Sequence, residues 1–235
     1  MKHTLLVKDW LSSFLSLLFP RCCVVCGRPL AKGEECICTV CNIKLPRTNY
    51  HLRKDNPVER LFWGQIPLER ATSFFFYRKG SDFRQILHQL KYGGKKEVGI
   101  IMGRYMAAEL LDSGFFEGVD VIIPIPLHKK KQQIRGYNQS ECIARGIAAV
   151  TGIAVCVESV VRRKNTETQT RKSVFERWEN VDGIFELNHA DSLTGKHILI
   201  VDDVLTTGAT TIACASRLAE VEGIRISVLT LAMAD

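Results

Sequence analysis

The residues best suited to chemistry stand together near the end of the chain, in ILIVDDVLTTGATT from Ile198 to Thr211. Asp202 and Asp203 close an aliphatic run that reads as a buried strand, and adjacent carboxylates in that position repel one another. Such a pair makes sense when it faces ribose hydroxyls or a magnesium shell, because hydroxyls and metal-bound water both donate hydrogen bonds to carboxylates. Thr206, Thr207, Gly208, Ala209 and Thr210 then lead into a helix. Small residues let backbone N–H groups close around a phosphate, threonine hydroxyls add donors, and the helix N-terminus adds partial positive charge. The bland alternative is a buried strand with an acid-rich turn and a threonine-capped helix. Two adjacent aspartates alone would leave that alternative ahead; the whole string favours a ligand.

A second constellation lies near the other end. Cys23-Val-Val-Cys26 and Cys38-Thr-Val-Cys41 are two C-x2-C pairs, the spacing by which a turn of backbone presents two thiolates to one tetrahedral Zn2+. Cys22 and Cys36 compete for the same places. Gly27 and Asn42 follow the pairs, and both types adopt left-handed backbone readily, as a tight metal knuckle often requires. That selects Cys23, Cys26, Cys38 and Cys41 as ligands of a structural zinc, since four closed thiolates leave no open catalytic position. Six of the nine cysteines fall between Cys22 and Cys41, a clustering that points to metal in a reducing, cytoplasmic compartment rather than to a disulfide scaffold.

Basic residues lie between these two sites. The stretch LHKKKQQIRGY, with Lys129, Lys130, Lys131 and Arg135, follows an aliphatic run and reads as a basic loop able to receive an anion; the lysines could equally face solvent. Arg135, Gly136, Asn138 and Gln139 are the stronger candidates, although Asn138 also suits a helix N-cap with Glu141 as its capping-box partner. The polar stretch from Arg162 to Val181 is too long for a turn, and it carries Arg163, Gln169, Arg177 and Trp178. The formal charge of +7 favours anionic partners without choosing among phosphate ligands, nucleic acid and acidic membrane.

The elements that must position these groups read as an α/β domain. Ala71 to Tyr77 has strand character; Phe83, Ile86, Leu87 and Leu90 mark one helix face, ended by Gly93 and Gly94, and a second helix is expected over about 97–111. Strands at VDVIIPIP, Ile153 to Val161, HILIVDDV and RISVLTLAMA then alternate with helices at NQSECIARGIAAV and TTIACASRLAEV, the pattern of a parallel sheet covered on both faces. Ahead of this domain, at 71–235, the reading places an amphipathic docking helix at 1–20, a zinc-ribbon module at 21–46 and a linker at 47–70. The first helix has Leu11, Phe14, Leu15 and Leu18 on one face, and no segment reaches the roughly 18 apolar residues of a membrane span.

VDDVLTTGATT resembles the signature loop of type I phosphoribosyltransferases. That resemblance implies that Asp202 and Asp203 hold the ribose hydroxyls and Mg2+ of phosphoribosyl pyrophosphate. It further implies that Thr206 to Thr210 hold the 5′-phosphate, and that the Arg135 to Gln139 region receives pyrophosphate. The 162–181 stretch would be the loop that closes over the ligand. Together with CVVCGRPL, CTVC, LKYGG, PIPLH and RGYNQSE, the chain from Pro20 onward is similar to the ComF/GntX family. The family implies a double zinc ribbon joined to a phosphoribosyltransferase domain, with a role in single-stranded DNA handling during natural transformation. Two departures stand out. Glu167 and Thr168 replace a proline-rich approach to Gln169, and Arg171 and Lys172 replace a Gly-Leu after it. Three functions remain open at this point: a ribose-phosphate-binding DNA-handling protein, an active phosphoribosyltransferase on an unidentified nitrogen acceptor, and an adaptor docking a competence helicase or uptake partner.

Overall fold

The computed structural model describes residues 20–163 and 183–234; the expected docking helix at 1–20, apart from Pro20, and Gln169, Arg177 and Trp178 lie outside the described residues. Five strands form one parallel sheet. β1 (Leu68–Tyr77), β2 (Val121–Pro124), β3 (Ala154–Val155), β6 (His197–Leu205) and β7 (Arg225–Ala234) stand in the order β1-β7-β6-β2-β3. The inner strands β2, β6 and β7 are aliphatic along most of their length because helices cover both faces, as parallel sheets require. A separate antiparallel hairpin joins β4 (Val160–Arg162) to β5 (Phe185–Leu187).

The sequence suggests one strand from Ile153 to Val161, and the structure divides it. Ala154 and Val155 pair with β2, whereas Val160 to Arg162 leave the sheet to pair with β5. The break falls between Cys156 and Ser159, whose side chains bond each other at 2.8 Å.

The segment expected to be a linker is ordered structure. Thr48 N–H bonds the Phe74 carbonyl at 3.1 Å, and Phe76 N–H bonds the Pro46 carbonyl at 2.8 Å, so this chain lies along the outer edge of β1. Asn56 and Glu59 then form a capping box that opens α1 (Pro57–Arg60), and Val58 and Phe62 are fully buried. Three prolines suggest a linker; the capping box and the apolar Val58 and Phe62 argue for a packed turn.

α2 (Arg84–Tyr92) and α3 (Lys96–Leu110) follow β1, and α4 (Lys129–Arg135), α5 (Gln139–Thr151) and α6 (Ala209–Leu218) complete the described α/β frame. α3 and α5 cross at glycines. A Cβ on Gly103 would lie 2.2 Å from the Ile143 carbonyl oxygen, and one on Gly146 would lie 2.1 Å from that of Ile100. This close crossing sets the position of the α5 N-terminus, next to the end of β6. Alanine in an open helix stabilises by about 1 kcal/mol over glycine. Here backbone stands in the way, so Gly146→Ala is expected to destabilise the fold by roughly 1–3 kcal/mol or more, read as a lower urea midpoint. An unchanged or raised midpoint would show that the helices can separate freely.

Candidate ribose-phosphate site and cysteine cluster

Asp202 and Asp203 sit near the carboxyl end of β6, the edge of a parallel sheet where ligands bind. Each carboxylate has its own partner. Ser140 Oγ, on the first turn of α5, donates to Asp202 Oδ1 at 2.9 Å, and the Asp203 backbone N–H donates to the same oxygen at 2.8 Å. Lys91 Nζ, near the end of α2, lies 2.9 Å from Asp203 Oδ1. Burial, followed by the charge of Asp203, pushes the Asp202 carboxyl up to about 7. Burial therefore favours a proton on Asp202, while the Lys91 ammonium is paired with Asp203.

After Leu205 the chain turns through Thr206 and Thr207 to Gly208, which caps α6 with φ +77°, a left-handed conformation that suits glycine. Gly208 offers no side-chain acceptor, so the opening turn of α6, at Ala209 and Thr210, has no side-chain cap. Thr206, Thr207 and Thr210 are exposed. The threonine-capped helix of the bland reading is not what forms.

The basic stretch expected as a loop is largely helical. His128 Nδ1 accepts from Lys130 N–H at 3.3 Å at the start of α4, and Gly136, at φ +79°, ends that helix. Arg135 Nη1 donates to Gln139 Oε1 at 2.7 Å, and its guanidinium lies 5.5 Å from the centre of the Tyr92 ring. Asn138 is the N-cap of α5: its Oδ1 accepts from Ser140 N–H at 3.1 Å and its Nδ2 donates to the Ile125 carbonyl at 3.0 Å. The expected capping-box glutamate behaves otherwise, since Glu141 accepts from Arg145 one turn on. Tyr137 Oη donates to the Leu90 carbonyl at 2.7 Å and ties this junction to α2. Arg163, at the described edge of the polar stretch, is exposed and paired with Glu186 across the hairpin.

Three residues beside the carboxylates were not singled out from sequence as site residues: Lys91, Ser140 and Arg162. The first two lie inside LKYGG and RGYNQSE, two of the strings that carry the family resemblance. Arg162 lies over Phe185 at 5.5 Å; burial lowers its basicity while the charge of Asp202 acts in the opposite direction.

At the N-terminal end the Sγ atoms of Cys23, Cys26, Cys38 and Cys41 all lie within 4.8 Å of one another, with Cys26 and Cys38 at 3.8 Å. Tetrahedral sulfurs around Zn2+ at about 2.3 Å are about 3.8 Å apart, so the cluster can hold that ion. Gly27 adopts the expected left-handed turn at φ +73°. Asn42 does not: it lies in a helix, Thr39–Lys44, and its side-chain and backbone oxygens accept from Arg47. The second pair is presented by a helical turn rather than a knuckle. Cys22 is exposed, and Cys36 is buried apart from the four, with burial pushing its thiol up to about 12. The cluster packs on the second half of α3, where Glu35 pairs with Arg104.

Residues 138–234 match the phosphoribosyl transferase domain family. The DNA utilization protein YhgH of Escherichia coli K12 is 30% identical over 209 residues, covering 83% of this chain and 88% of that protein. The chain belongs to the ComF family. Competence protein ComFC of Bacillus subtilis is 26% identical over 202 residues, 86% of this chain and 79% of that one. Among solved structures, the glutamine phosphoribosylpyrophosphate amidotransferase of B. subtilis is similar at a TM-score of 0.41 and 16% identity, over 61% of this chain and 30% of that one. No helix among the described residues of this ComF-family protein is long and apolar enough to cross a membrane.

Burial holds the Asp202 carboxyl well above its ordinary value. Its ionisation opposes folding, so the penalty is absent below the unfolded value near 3.8, grows as pH rises and is complete above about 7. Asp202→Asn should therefore stabilise the ligand-free protein relative to wild type by roughly 1–3 kcal/mol at pH 8, with the gap closing toward pH 4. Parallel stability-versus-pH curves for the two proteins would contradict this electrostatic picture.

Proposed function

We propose that this protein binds phosphoribosyl pyrophosphate, or a closely related ribose phosphate, together with Mg2+, and that it serves single-stranded DNA handling during DNA uptake. The observation that carries the reading is the carboxylate pair at the end of β6, opening directly onto a glycine-led helix start with no side-chain cap. Vicinal ribose hydroxyls would donate to Asp202 and Asp203, and the amides and hydroxyls of Thr206 to Thr210 would take the 5′-phosphate. A hard divalent cation suits the same oxygens; the Lys91 ammonium already stands against one of them. When bound, Mg2+ would supply charge neutralisation for the phosphates. Arg135 and the Gly136 turn would face the pyrophosphate, with Asn138 and Gln139 as positioning residues because their side chains are engaged with Ile125 and Arg135. Arg163, Gln169 and Arg177 are proposed for the covering segment.

In the same reading residues 21–46 form a structural zinc module, and 71–235 form the ligand-binding domain. The DNA role is supported by the similarity to the DNA utilization protein YhgH and competence protein ComFC, and by the charge of +7. Active transfer to a nitrogen acceptor is a second reading, favoured by an open pocket on α2 beside Thr206. Pyrophosphate release with candidate acceptors, followed by mass spectrometry, separates transferase from binder.

Phosphoribosyl pyrophosphate with Mg2+ is expected to raise the melting temperature of the wild-type protein, and the double change Asp202→Asn with Asp203→Asn to abolish the rise; a wild-type protein with no shift would sink the ligand reading. Elemental analysis should find one Zn2+ per chain, lost when Cys23 and Cys38 become Ser and kept in Cys22→Ser. Full retention in the double variant would refute those ligands. DNA affinity should fall steeply between 50 and 200 mM salt if phosphate contacts dominate, by roughly tenfold or more.

A further inference from the structure

Lys91 stands on the last turn of α2, and its Nζ lies 2.9 Å from Asp203 Oδ1. The Lys91 side chain is 21% exposed and that of Asp203 12%, so the two charges meet largely out of water, where screening is weak. The helix is not free to carry the ammonium away. Ile86, Leu87 and Leu90 are buried in the core, and the Leu90 carbonyl, one residue before Lys91, accepts from Tyr137 Oη at 2.7 Å. Any departure from Asp203 has to be made by the lysine side chain alone.

The space open to that side chain does not favour a cation. Arg84 and His88 line it with Tyr77 and Thr206, and among the described residues no Asp or Glu does. An ammonium leaving Asp203 therefore approaches like charge and gains no carboxylate. An incoming anion removes that obstacle, and Thr206, the first residue of the expected phosphate loop, is on the same wall. A divalent cation alone acts in the opposite sense. Oxygen ligands hold Mg2+ at about 2.1 Å, so a metal on Asp203 Oδ1 and the Lys91 ammonium would stand within about 5 Å of each other in a half-buried site. Asp202 offers no easier approach: Ser140 Oγ and the Asp203 N–H already share its Oδ1, and the charge of Arg162 bears on it as well.

We infer that Lys91 keeps a divalent cation off the aspartate pair until a phosphate ligand is present, so that the metal enters together with its ligand. Lys91 is a positioning residue, acting through Asp203. The link to a phosphate ligand rests on the function proposed above; the exclusion of metal from the free protein does not.

The test titrates Mn2+ alone, read by electron paramagnetic resonance, into the full-length protein with no phosphate present. Lys91→Met and Lys91→Gln, uncharged side chains with similar helix propensity, are each expected to bind one Mn2+ at least about tenfold more tightly than wild type, a gap of about 1.4 kcal/mol. Lys91→Arg, which restores a cation, should return the affinity toward the wild-type value, and Asp203→Asn added to Lys91→Met should remove the gained site. A role confined to holding α2 in place would not raise metal affinity. Equal Mn2+ affinity in wild type and both uncharged variants, equal affinity in the Met and Arg variants, or a gained site that survives Asp203→Asn would overturn the inference. Melting shifts of the wild-type protein with phosphoribosyl pyrophosphate and Mg2+ keep the two claims apart. Such a shift without the gain in Mn2+ affinity sinks the role of Lys91 alone, and the gain without the shift sinks the ribose-phosphate reading alone.

Discussion

Two carboxylates on consecutive residues of a buried strand repel each other, and the surrounding structure is arranged to hold them there. Asp202 is retained by a hydroxyl from α5 and by a backbone N–H, with its proton favoured by burial, and Asp203 by an ammonium from α2. Each of those partners depends on something farther away. Ser140 reaches Asp202 because α5 can press against α3 at Gly103 and Gly146, and α2 is fastened to the turn before α5 by the Tyr137 hydroxyl. A group that opposes folding when ionised points to function, because packing alone would favour an apolar residue there.

The cysteine cluster acts on the same framework from the other end. It packs on the second half of α3, where Arg104 pairs with Glu35, and Arg47 of the following segment pairs with Glu109 and lies over Phe74 of β1. In the structure the cluster braces α3 and the edge of β1, and the contacts of Asp202 and Asp203 come from α2, α5 and β6 itself. The surface next to the carboxylates belongs to α2.

The sheet was legible because three of its strands are near-continuous aliphatic runs, and the clustering of four cysteines because two identical spacings recur. What escaped is mostly tertiary. Lys91 lies on a polar helix face, and only the fold brings it to a carboxylate more than a hundred residues later. The split of the 153–161 strand depends on which neighbour offers hydrogen bonds, β2 for Ala154 and Val155 but β5 for Val160 to Arg162, and no local propensity encodes that choice. In the segment 47–70 prolines suit a linker, but the Asn56–Glu59 capping box and the buried Val58 and Phe62 make it a packed turn beside β1. Asn42 shows the limit of residue preference, since asparagine tolerates a left-handed turn yet here sits in a helix that presents Cys41.

In the proposed function Asp202 meets its ligand as a carboxylate, whereas burial favours its protonated form in the free protein. Calorimetric titration of phosphoribosyl pyrophosphate and Mg2+ at pH 7, repeated in buffers of different ionisation enthalpy, reads that difference directly. With burial raising the Asp202 carboxyl in the free protein, binding should release protons from it, and Asp202→Asn should remove that release. Binding with no difference in proton release between wild type and Asp202→Asn, or no binding at all, would contradict the account.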